Sequence, residues 1–412
     1  MRNRMAPLLC FLVLPIMLMG DSKEIARDNT HLREGPGCFY PLIGILQKGT
    51  LVEIQKQEPG WLETKALENI GWISVNAIAT PESGSVSSLS SLGTTSMPAL
   101  ISKASASGAV RGFAQKFIHY HEGDSSFLQY YDHRYFTPQQ YNDFKHATYR
   151  NKDISKIRNR YTALPIGSRE YHIDFDLEKA GLAIASQIAK AGLITDSTLT
   201  AYINLVGTLL IENCELYYYP FKFFILEDDR PAAYSTPNGM IFLSKGLLML
   251  MENEAELACA LGHEMAHTIY KHGYREILER RDMIVAEEAF DQLDEEVPES
   301  DTTFQALEDM ALNMYEAATY ARQMEYEYEA DQFGAIYAYR AGYDPDALSH
   351  LLRRVKQNTQ QDFWHPETNW PVHKIEDRST KVDDFIGKKL DKDPHLNMHW
   401  KSRFQAHTAA WR

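Results

Sequence analysis

Residues 257–273 read LACALGHEMAHTIYKHG, in which His263, Glu264 and His267 stand as H-E-x-x-H inside a run of helical character. On a helix, positions four apart lie on one face, so both imidazoles reach one metal ion while Glu264 sits beside it. This is the geometry zinc hydrolases use. Upstream, Leu257, Ala258, Cys259, Ala260 and Leu261 suit a helix buried in a core, and Gly262 lets another backbone approach closely. Two His and a Glu on a buried helix need polar partners, and a metal ion satisfies them. The bland alternative, a chance match on a solvated helix, fits this apolar context poorly.

The chain has 412 residues, enough for two or three domains and at least one large core. Its formal charge of −14 argues against nucleic acid as a partner, because phosphate binding needs a Lys/Arg surplus. Residues 1–20 begin with Arg2 and Arg4 and continue as an apolar run from Leu8 to Met19, the pattern of an export signal. A cleavage point near Gly20 follows, although Leu18 fits poorly there. An uncleaved segment would give loose membrane association instead. Cys10 lies inside the run, which argues against a lipid anchor. The expected location is periplasmic or otherwise exported. Export permits disulfides, yet only Cys38, Cys214 and Cys259 follow the signal; Cys259 reads as a small buried hydrophobe and a Cys38–Cys214 bridge is not expected.

Between residues 25 and 80, short runs rich in Val, Ile, Leu and Trp alternate with Gly-Pro, Lys-Gly-Thr and Glu-Pro-Gly turn signals, which predicts a small all-β barrel. Residues 81–110 are Ser/Gly/Ala-rich and read as a linker. Residues 111–165 carry aromatics on short helical segments; His119 and His121 in this stretch read as surface histidines rather than ligands. From 166 to 412 the helical period dominates. LEKAGLAIASQIAKAGL is followed by Asp196 capping STLTAYINLVGTLLIENC, and LYYYPFKFFILEDD reads as a strand. Pro237-Asn238-Gly239 then turns into the strand Met240–Leu243, which is placed to lie along a cleft and pair with an extended peptide.

A hydrolytic zinc site needs a third protein ligand. Glu287, with Asp291 beyond it, lies twenty residues after His267 in an acidic run, EEAFDQLDEEVPESD, that reads as a solvated loop or lid. Glu327 lies sixty residues after His267, on a segment whose Tyr326, Ala330, Phe333, Gly334, Ile336 and Tyr337 suit close helix packing. Packing favours Glu327, with Asp331 one turn on as the acceptor that fixes an imidazole tautomer. Glu329 points to another side.

AAYSTPNGMIFLSKGLL, AELACALGHEMAHTIYKH and EYEADQFGAIYAYRAGYDP together resemble three successive blocks of the HtpX and CAAX-prenyl-endopeptidase type of zinc metallopeptidases, metallopeptidase family forty-eight. The LREGPG, LQKGTLVEI and GWI segments resemble bacterial SH3-like domains, which implies a cell-wall or peptide ligand; a spacer with Trp61 and Trp72 in its core is the alternative. The metallopeptidase resemblance implies an α+β, zincin-like, mainly helical domain with a small sheet. It also implies one Zn2+ held by His263, His267 and Glu327, with Glu264 as general base. A later His followed by Arg also lies near the metal in that family. WPVHKIEDR offers His373 and Arg378, with His365-Pro366 competing. His373 is then either a donor to the oxyanion or a fourth ligand that keeps the site latent. The activity implied is an exported endopeptidase acting on polypeptides. A non-enzymatic exported binder or chaperone with a structural zinc is the rival, although structural zinc is normally closed by four ligands, often Cys.

Overall fold

Six short strands open the chain in the computed structural model: β1 (Asp21–Glu24), β2 (Thr30–Arg33), β3 (Leu42–Leu46), β4 (Leu51–Glu58), β5 (Trp61–Ala66) and β6 (Asn69–Ser74). The structure describes residues 21–25, 30–36, 40–58, 61–66, 68–74, 77–78, 114–119, 121, 123–130, 135–149, 175–214, 216, 221–276, 308–315, 323–359, 372–390 and 398–411. The strands form one antiparallel sheet in the order β1-β4-β5-β6-β2-β3. Alternate residues Leu32, Leu46, Val52, Leu62, Ala66 and Ile73 face a common core, and Trp61 and Trp72 are also buried. This all-β unit is compatible with the expected SH3-like barrel. The signal-like residues, the Ser-rich linker and Cys38 lie outside the described residues.

The sheet is docked on helices rather than merely tethered. α1 (Pro138–Tyr149) lies against β3, where Asn142 Nδ2 donates to the Leu42 carbonyl at 2.7 Å and Asn142 Oδ1 accepts from the Leu42 amide at 3.2 Å. Deeper in the same contact, the Glu212 carboxylate accepts from both Arg33 and Lys145, and all three residues are buried. Charges removed from water this completely persist only when paired. Glu212 caps the C-terminus of the helix Ser197–Ile211, so the ion triad joins the β unit to the helical core.

That core is built from α2 (Phe175–Ile188), α3 (Ser197–Ile211), α4 (Lys245–Leu250), α5 (Glu254–Ile269), α6 (Met324–Arg340), α7 (Ala347–Thr359), α8 (Val372–Lys389) and α9 (Lys401–Thr408). Caps set the starts. Asp196 accepts from Leu199 N at 2.7 Å, Ser244 from Leu247 N at 3.0 Å and Asn253 from Glu256 N at 3.1 Å. Glu254, in the first turn of α5, is buried and accepts from Tyr202, Tyr343 and Arg403, which ties α9 to the start of the helix that carries H-E-x-x-H.

A small sheet, β7 (Lys222–Leu226), β9 (Met240–Ser244) and β8 (Ala233–Ser235), lies in the order β7-β9-β8, with β7 parallel and β8 antiparallel to β9. Two sequence expectations change here. Among the described residues the aromatic run forms a strand at Lys222–Leu226, and β9 is central, buried at every residue and hydrogen-bonded on both edges, so it cannot accept a peptide. The edge that remains belongs to β8. The other side is sealed: the Asn204 amide on α3 donates to Phe223 O at 2.8 Å and accepts from Phe223 N at 3.1 Å, and Ile194 N donates to Ile225 O.

Candidate metal centre

α5 and α6 cross at two glycines. A methyl at Gly334 would lie 2.7 Å from the His263 amide nitrogen, and one at Gly262 would lie 2.9 Å from the Gly334 carbonyl oxygen. Only glycine at both positions lets the backbones meet, as the sequence suggested for Gly262. The contact brings Glu327, one turn into α6, over the imidazoles of α5.

His263 Nε2 and His267 Nε2 are 3.0 Å apart, and Glu327 oxygens lie 3.6 and 3.4 Å from them respectively. These three buried donors all lie within 4.8 Å of one another. Glu264 Oε1 is 3.9 Å from His263 Nε2, inside the same pocket. His263 Nδ1 faces Asp331 Oδ1 at 2.9 Å, the orienting contact expected of Asp331. Arg378 on α8 donates from Nη1 to Glu327 Oε2 at 2.8 Å and grips both Asp331 oxygens, at 2.8 and 2.7 Å.

The electrostatics follow from burial against charge. Burial works to lower the His263 pKa, but the Asp331 and Glu327 carboxylates raise it to about 9. Glu327 goes the other way: burial would raise it, and the Arg378 guanidinium with both imidazoles holds it well below the ordinary carboxylate range. With both Nδ1 atoms turned to other partners, the two Nε2 atoms face each other beside a carboxylate. Such a set calls for a proton or a metal ion among its members. Two imidazoles and one carboxylate are the donors of an open zinc site, so the residues present fit a zinc ion.

Among the sequence candidates, His263, His267, Glu264, Glu327, Asp331 and Arg378 are thus brought together. His373 is the second residue of α8; its side chain lies outside the described residues, as do Glu287, Asp291 and His365. His121, read as a surface histidine, meets Glu308 at 2.5 Å, a carboxylate 187 residues away. One contact was missed altogether. His272 Nδ1 lies 2.8 Å from His267 Nδ1, and His272 Nε2 lies 3.0 Å from Glu329. The signal available was a further His five residues after His267.

Residues 197–381 match the profile of Peptidase family M48. The chain is 25% identical over 197 residues to the beta-barrel assembly-enhancing protease of Yersinia pestis, covering 47% of this chain and 40% of that protein. It is 28% identical over 222 residues to the putative beta-barrel assembly-enhancing protease of Vibrio cholerae, covering 50% and 43%. It is 24% identical over 232 residues to the mitochondrial metalloendopeptidase OMA1 of Schizosaccharomyces pombe, covering 52% and 65%. The chain therefore spans less than half the length of the two bacterial relatives.

Proposed function

We propose, from the Peptidase family M48 domain that residues 197–381 carry, that this chain is an exported zinc-dependent endopeptidase acting on unfolded or envelope polypeptides. The observation that carries the reading is the convergence of His263 Nε2, His267 Nε2 and Glu327 within 4.8 Å, with Glu264 alongside. A bound zinc ion supplies Lewis-acid polarisation of a carbonyl and lowers the pKa of an attacking water. Glu264, buried beside His263, would take a proton from an attacking water on a carboxylate oxygen and return it to the leaving amine. Arg378 anchors Glu327 and Asp331, so the donor set keeps its shape while charge moves. His373 belongs to the proposal as a donor to the developing oxyanion, carried on the same helix as Arg378; turnover of His373→Ala reads that role.

The outer position of β8 in its sheet, with Ala233 half-buried, supports an extended polypeptide as substrate. Thr236 N donates to Met240 O and Ser244 N to Ala232 O, so residues 232 and 236 face β9 and, by antiparallel alternation, Ala233 turns its amide and carbonyl outward. Thr268 Oγ1, one residue after His267, donates to Thr236 O at 3.0 Å and fastens this edge to the helix bearing the imidazoles. Export rests on the basic and apolar first twenty residues. No helix among the described residues is long and apolar enough to cross a membrane. The docked β unit would then position substrate or bind the cell wall.

Incubating the chain with an unfolded polypeptide, with and without chelator, tests the reading. Cleavage is expected only without chelator, and Glu264→Gln should lower it at least ~10²-fold while zinc content stays at one per chain. Binding without cleavage would favour a non-enzymatic exported binder.

A further inference from the structure

We infer that His272, backed by Glu329, is a positioning residue that fixes the tautomer of His267 and keeps its Nε2 lone pair turned toward the three-donor cluster. The inference rests on the metal reading above and concerns residues that reading leaves unassigned.

Two imidazole δ nitrogens 2.8 Å apart form a hydrogen bond only if one carries a proton and the other does not. With both rings neutral, as a metal-ligating His267 and its acceptor require, two arrangements are open. In the first, His267 Nδ1–H donates to His272 Nδ1, so His267 Nε2 is a bare lone pair. The remaining proton of His272 then sits on Nε2 and donates to Glu329 Oε2 at 3.0 Å. In the second, His272 Nδ1–H donates to His267 Nδ1. This puts a proton on His267 Nε2, inside the donor cluster, and leaves a His272 Nε2 lone pair facing a carboxylate. The Glu329 carboxylate thus selects the first arrangement. Arg275 Nη1 donates to the same Glu329 oxygen at 3.0 Å and keeps that carboxylate in place.

The fold builds this chain of contacts on purpose-shaped backbone. α5 ends at Ile269, and Lys271 adopts a left-handed φ of 54°, a conformation that non-glycine residues rarely take. The reversal swings His272 back beneath His267, fully buried. Its ring stacks on Tyr326, with centroids 4.9 Å apart at 17°, and Arg275 covers the same tyrosine at 4.6 Å. Tyr326 immediately precedes Glu327. One helix, α6, therefore supplies a donor to the cluster through Glu327 and an orienting carboxylate to each imidazole. Asp331 serves His263 directly, and Glu329 serves His267 through His272.

The test measures zinc affinity of the full chain by competition with a chromophoric chelator, alongside histidine 15N spectra of the zinc-loaded protein. His272→Phe should weaken zinc binding ~10–100-fold. His272→Asn, whose Oδ1 replaces the accepting nitrogen, should recover most of that loss. Glu329→Gln, at a side chain one-third exposed and so tolerant of change, should weaken binding in the same direction by less. The spectra should show His267 protonated at Nδ1 and His272 at Nε2. Unchanged affinity in both His272→Phe and Glu329→Gln overturns the positioning role while leaving the metal site standing, whereas a His267 proton on Nε2 in the zinc-loaded protein overturns both. Failure of the parent chain to bind zinc, with His267→Ala no different, overturns both.

Discussion

A proton and a metal ion compete for the same lone pair at His263. In the metal-free chain that imidazole titrates at about 9, burial pulling downward and Asp331 and Glu327 pulling upward. Because the folded value lies above 6.5, its charged form stabilises the metal-free chain fully below 6.5, and that contribution is lost as pH rises toward about 9. Zinc must displace the proton. Its affinity should therefore rise about tenfold per pH unit up to about 9 and level off above, measured by chelator competition across a pH series. A flat profile below that value would mean that His263 is not a ligand. Most of this chemistry was legible in the letters, since H-E-x-x-H and a later E-x-x-x-D on a packing helix name Glu327 and Asp331. His272 was not, because its role depends on the left-handed turn at Lys271, which no periodicity announces.

At the scale of elements, the helix crossing decides whether the donors meet. Gly334→Ala places a methyl against the His263 backbone, which cannot rotate away, so α6 must shift. The expected result is a loss of ~1–3 kcal/mol in unfolding free energy and a lowered zinc content, read by denaturant melts and metal analysis. The small sheet makes a separate prediction. Ala233→Pro deletes an outward-facing amide of β8 without touching the bonds to β9, so KM for an extended peptide should rise several-fold while kcat is largely kept. Equal loss in kcat would place the peptide elsewhere. The sequence marked β9 as a strand correctly but could not reveal its position in the sheet. That position depends on Asn204 and residues 192–194 closing the far edge at β7, contacts between segments that carry no mutual signal in one sequence.

For the whole molecule, the docking of the β unit is the feature that composition hid. Turn signals and Trp spacing announced a barrel, and the Ser-rich stretch after it suggested a tether, but nothing in Arg33, Lys145 or Glu212 alone predicts that they meet. Glu212→Ala leaves two cations buried without their shared anion and should cost ~3–5 kcal/mol. The β unit should then become separable, seen as early release in limited proteolysis, while zinc content is unchanged because the triad lies outside the donor cluster. The triad also orders events in time. Arg33 is synthesised 179 residues before Glu212, so a growing chain lacks the carboxylate of this ion triad until α3 is complete. The β unit is therefore clasped only once residue 212 has been made, and a chain interrupted earlier presents its β strands without that ion triad.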